Sequence, residues 1–208
     1  MRLATLENGT ADGRLVAVSP DGTRCAATPF ATLQLAIENW AEAEPKLRAI
    51  TDYPETLDAA KLRAPLPRAW QWLDGSVYAS HGALMDKVIG VEKPPVTWPL
   101  MYQGVSDKFY GPNDDVRMPD EALQIDFEGE FGIIVDAVPM GTPAAECMKH
   151  IKLIVQINDW SLRALAGPQV YVPNKKLAEA VMINYARPST RVTVELLTGV
   201  LPRLNSSM

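Results

Sequence analysis

The chain has 208 residues, 47% apolar, 22% charged and 7% aromatic, a globular composition able to bury a core without a disulfide or metal scaffold. Lys and Arg number 20 against 25 Asp and Glu, for a formal charge of -5 with no basic run, which argues against a nucleic-acid partner or an anionic membrane surface. Its longest apolar stretches fall far short of the roughly 20 residues a membrane helix requires, and the N-terminus lacks the apolar core of a signal peptide. Cys25 and Cys147 stand in unrelated contexts and form no zinc or disulfide pattern, so the expected compartment is a reducing cytoplasm.

Residues 2 to 28 read as short strands separated by Asn8-Gly9, Asp12-Gly13 and Asp21-Gly22, dipeptides suited to tight hairpin turns. From Thr32 to Ile50, Leu33, Ile37, Trp40 and Ala41 recur at helical spacing, with Pro45 able to break or restart the helix. Residues 52 to 69 carry Pro54, Pro65 and Pro67 among charged and small residues and suit a linker, which places a domain boundary near residue 68. An aromatic-rich stretch at Trp70 to Asp74 comes next, then a proline-bearing loop around Lys93 to Trp98. Strands are expected over Ile125 to Val135 and Lys152 to Ile157. Between them a short helix runs from Thr142 to His150, with Thr142 as cap and Pro143 in its first turn.

The chemistry concentrates in Ile125-Asp126-Phe127-Glu128-Gly129-Glu130-Phe131. Alternation in a strand puts Asp126, Glu128 and Glu130 on one face and Ile125, Phe127 and Phe131 on the other. Three acids on one face suit either a solvated surface or a hard cation with oxygen ligands. Asp159 comes after an apolar run, where it either supplies another carboxylate at the mouth of a strand or caps a helix from Ser161 to Leu165. His81 lies downstream of Asp74 and Tyr78; it is either structural or a general base near neutral pH. His150 ends a helix, where its charge is favoured by the dipole.

Taken in order, Trp72-Leu73-Asp74-Gly75-Ser76, Tyr102-Gln103-Gly104, Asp126-Phe127-Glu128-Gly129-Glu130 and Asn158-Asp159-Trp160-Ser161-Leu162-Arg163 resemble the fumarylacetoacetate hydrolase family. The resemblance implies an α+β, mostly β fold: a small N-terminal β domain with a helix over 1–68, then an incomplete mixed β-sandwich or roll over 69–208. It implies one divalent cation, Mg²⁺ or Ca²⁺ or Mn²⁺, held by Asp74, Glu128, Glu130 and Asp159. His81 matches the histidine that activates water, Tyr102 a substrate-contacting tyrosine and Arg163 a polar residue near the substrate. The implied reaction is hydrolysis of a carbon-carbon bond in a fumarylacetoacetate or acylpyruvate-like 1,3-diketo acid, as in aromatic amino-acid catabolism. The implied partners are a small oxo-acid substrate and a second copy of the chain in a homodimer.

The resemblance ends near Ala166. Lys175 and Lys176 are the nearest candidates for the family's lysine, and their flanks do not match. A helix over Leu177 to Met182 and a strand over Arg191 to Leu197 fit the remaining pattern. The competing expectation is therefore a truncated or divergent, catalytically inactive relative acting as a binding or subunit-association module.

Overall fold

A computed structural model describes residues 1–89 and 99–165. The loop around Lys93 to Trp98 and all the expectations beyond Ala166, Lys175 and Lys176 included, lie outside the described residues. Strands β1 (Arg2–Leu6), β2 (Arg14–Val18), β3 (Arg24–Ala27) and β4 (Glu55–Thr56) form one antiparallel sheet in that order. The turns fall where the Asx-Gly dipeptides stand, with Gly9, Gly13 and Gly22 at positive φ. At Gly13 a Cβ would come within 2.5 Å of the Thr5 methyl and 2.7 Å of the Leu6 carbonyl oxygen, so the turn requires glycine there. β2 is covered on both sides. Val16 and Val18 pack with Leu6 and Cys25, while Leu15 faces a larger core of helical residues.

The helical stretch is two helices, α1 (Leu33–Glu38) and α2 (Trp40–Arg48). The break falls at Asn39, and Pro45 sits inside α2. Asn39 ends one helix and starts the next: its side-chain amide donates to the Leu35 carbonyl, and its own carbonyl accepts from Glu42 and Ala43. Thr32 caps α1 by accepting from the Leu35 amide. Leu33, Ala36, Ile37, Trp40, Ala43 and Leu47 are buried.

Residues 52 to 69 depart from the linker expectation. Ala64 and Leu66 are buried in the main apolar cluster. Backbone bonds tie the segment to β1, with Glu7 N donating to Lys61 O and Arg63 N to Thr5 O. Prolines have no amide to donate, but their carbonyls still accept. Pro65 takes the Thr5 hydroxyl at 2.6 Å and Pro67 the Phe109 amide at 2.8 Å. The segment stitches the first sheet to the second half of the fold. The main cluster accordingly holds Leu15 and Leu47 from before residue 68 and Trp72, Phe109, Ile134 and Ile157 from after it.

Past residue 69 the chain is again mixed and mostly strand. β5 (Leu73–Ser76) pairs antiparallel with β6 (Leu100–Gln103), and α3 (Ala79–Ile89) lies between them in sequence. β7 (Ile125–Val135) and β8 (Ile151–Leu162) form a long antiparallel pair. The helix expected over Thr142 to His150 is the short α4 (Ala144–Cys147) and then a 3-10 turn, Met148–His150. Pro143, not Thr142, occupies its N-cap; the Thr142 hydroxyl instead donates back to the Pro139 carbonyl. The ring of His150 bonds Asp136 at 2.5 Å, so the histidine belongs to an ion cluster with Asp136 and Lys152.

Candidate metal centre

The β7–β8 pair positions the acids. Glu128 stands opposite Asp159, Glu130 opposite Ile157, and Ile134 opposite Leu153. Alternation puts all of these on one face, whose far half packs into the main apolar cluster through Ile134 and Ile157. Gly132 allows this: a Cβ there would lie 2.4 Å from Ile157 Cδ1. The acidic half of the face is thereby turned toward the protein, and the aromatic face is turned out. Phe131 and Ile154 are each 73% exposed, whereas Asp159 is 3% exposed. The solvated-surface alternative fits only Asp126, whose side chain is 47% exposed, against 23% for Glu128.

β8 also decides the alternatives at Asp159. The strand runs through Ser161 to Leu162, and the described residues after it form a 3-10 turn, Arg163–Leu165. Asp159 is therefore an interior strand residue, neither a helix cap nor at a strand mouth.

Asp74 comes from β5. Its carboxylate oxygen and those of Glu130 and Asp159 all lie within 4.8 Å of one another. Burial pushes the Asp74 carboxyl above its ordinary range; a hydrogen bond from Tyr102, its cross-strand neighbour, works the other way. Glu130 is pushed up to about 8, first by burial and then by the charges of Asp74, Asp159 and Glu128. Trp72 supports this corner. It is 1% exposed, its ring meets Tyr102 edge-on at 5.4 Å, and Gly104 leaves the space it fills.

Glu128 shares the face but faces other partners. One oxygen is paired with the Arg163 guanidinium, and the other lies 3.8 Å from His81 Nε2. Arg163 also binds Asp126, with Nε to Oδ2 at 2.8 Å. For Asp126 burial is the largest influence and opposes ionisation, but the hydrogen bonds from Arg163 and the Phe127 amide and the nearby positive charge together outweigh it and hold the carboxyl below its ordinary range. The structure thus brings together Asp74, Glu130 and Asp159 as a trio, with Tyr102 on Asp74, and His81, Glu128 and Arg163 beside it. Sequence reasoning missed the supporting roles of Trp72 and Gly104; a glycine directly after β6 was the signal for a close neighbour.

The trio fits a divalent cation. Its donors are all carboxylate oxygens, the ligand type of hard cations, and the raised Glu130 reflects burial first and then crowded negative charge, which such an ion relieves.

A mostly strand α+β scaffold presenting such a carboxylate trio is the class of protein that fold and site define. Residues 1–68 match the family description "Fumarylacetoacetase N-terminal domain 2", and residues 71–180 match "Fumarylacetoacetate (FAA) hydrolase C-terminal". The chain belongs to the fumarylacetoacetate hydrolase family. The second match continues past Ala166, where the recognisable motifs end. Protein Rv2993c of Mycobacterium tuberculosis is 30% identical over 103 residues, which are 50% of this chain and 37% of that protein. A crystal structure from Mycobacterium smegmatis described as an HpcE protein superposes with a TM-score of 0.60 at 20% identity, over 81% of this chain and 58% of that one. The latter likeness shows the fold. The chain thus aligns with less than two thirds of either relative. Among the described residues no helix is long and apolar enough to cross a membrane.

Proposed function

We propose that the protein is a divalent-cation-dependent hydrolase that cleaves a carbon-carbon bond in a fumarylacetoacetate or acylpyruvate-like 1,3-diketo acid. The observation that carries this reading is the convergence of Asp74, Glu130 and Asp159 from three strands. These residues hold the ion, Mg²⁺ or Ca²⁺ or Mn²⁺, with Glu128 adjacent. A divalent cation held there would supply Lewis-acid polarisation of a substrate carbonyl. His81 takes a proton from the attacking water; its Nε2 lies 3.8 Å from Glu128, beside the trio. Tyr102 keeps Asp74 in place and stands exposed enough to meet substrate as well. The cytoplasm and a homodimer belong to the same reading.

Titration with Mg²⁺, Mn²⁺ and Ca²⁺, combined with an acylpyruvate cleavage assay, tests it. Saturable binding and turnover, with turnover lost in His81→Ala, are expected; no binding to the wild type would sink the reading. The second reading is an inactive module that associates with another subunit. It draws on the outward aromatic face of β7, where Phe127 and Phe131 are exposed. Binding of a cation without any cleavage would favour it.

A further inference from the structure

The acidic face carries its own cation. Arg163 leaves the end of β8, anchors its backbone amide on the Gln124 carbonyl just before β7, and returns over the strand to hold Asp126 and Glu128 together. Glu128 is directly opposite Asp159 and two residues from Glu130, yet its oxygens are not among those that converge. One of its oxygens is paired with the Arg163 guanidinium and the other lies 3.8 Å from His81 Nε2, so its partners, not distance along the strand, separate it from the trio.

We propose that Arg163 is a resident counter-ion, a positioning residue that holds Glu128 away from the trio, and that a divalent cation must displace it to recruit Glu128 as a further ligand. This rests on the reading that the trio binds a divalent cation. Displacement has two opposed parts. The cation gains a fourth carboxylate, and the bidentate guanidinium loses one of its two partners but keeps Asp126. The site therefore binds more weakly than its carboxylate number alone would give, and Arg163 sets the difference.

Calorimetric titration of the full chain with Mg²⁺ alone tests this, with fold checked by circular dichroism and thermal melting. Arg163→Met should bind Mg²⁺ about tenfold more tightly than wild type, equivalent to about 1.4 kcal/mol. Arg163→Lys, which keeps the charge, should stay close to wild type. The gain must disappear when Arg163→Met is made in a Glu128→Gln background, because no carboxylate is then released. Equal or weaker binding by folded Arg163→Met overturns the proposal. So does a gain that survives Glu128→Gln, which would show a through-space charge effect only, or a gain equally large in Arg163→Lys. Should Arg163→Met fail to fold, Asp126→Asn serves instead: it leaves the guanidinium Glu128 alone and should weaken Mg²⁺ binding, and tighter binding would overturn the idea. A wild type that binds no Mg²⁺ removes the hydrolase reading together with this one, whereas a wild type that binds, with no gain in Arg163→Met, removes this one alone.

Discussion

The sheet β1–β4 and the pair β7–β8 are both antiparallel, but they use alternation in opposite ways. In the first, the strand β2 is covered on both sides by apolar residues. In the second, the inward face mixes Ile134 and Ile157 with Glu130 and Asp159, while Phe127, Phe131 and Ile154 face out. The first region is organised for stability. The second places like charges in a half-buried setting that costs stability and yields a site able to hold a cation, as expected where function is stored.

Core truncation gives the largest effect that this contrast predicts. Leu15→Ala should cost about 2–5 kcal/mol in urea unfolding with a far smaller effect on Mg²⁺ affinity, since Leu15 supplies no ligand, although it shares the main apolar cluster with Ile134 and Ile157. Glu130→Gln should do the reverse, abolishing Mg²⁺ binding by calorimetry while leaving the ion-free chain at least as stable as wild type. A Leu15→Ala variant that lost the ion as well would break the separation between the regions.

Gly104→Ala comes next. The added methyl would lie 2.0 Å from the Trp72 ring, so an overpacking cost of about 1–3 kcal/mol is expected. Because Trp72 supports Tyr102 and Tyr102 holds Asp74, the same variant should weaken Mg²⁺ binding; retention of full affinity would detach that support from the site.

The pH dependence sharpens the contrast further. Glu130 titrates at about 8 when folded against an ordinary 4.5, so between these values the native state holds a proton that the unfolded chain has lost. Its contribution to stability is present below 4.5 and disappears as pH rises through about 8. The ion-free melting temperature should fall across that window, and Mg²⁺ affinity should rise, since binding releases the proton. Melting curves and titrations at several pH values check both signs.

The smallest effect belongs to Phe131→Ser on the outward face, expected within about 0.5 kcal/mol of wild type by thermal melting. A loss comparable to Leu15→Ala would show that this face is covered in solution.

Much of the local structure was legible because it depends on neighbours in sequence. The Asx-Gly turns, the helical stretch and both long strands arise from backbone preferences and periodicity, and the motif order carried the family. The errors share one cause. The Pro65 to Pro67 stretch reads as a linker because its partners, Thr5 and Phe109, are far away in sequence. The helix breaks at Asn39 rather than Pro45 because side-chain bonds decide it.

By itself the sequence determined which residues of β7 share a face, since a period of two is a local property of extended chain. It could not say which face is inward, and apolar content would choose the wrong one. Only the tertiary structure decided that, because burial is set by what packs against the strand: Ile134 and Ile157 join the core from the acidic side, and β5 brings Asp74 across to meet Glu130 and Asp159.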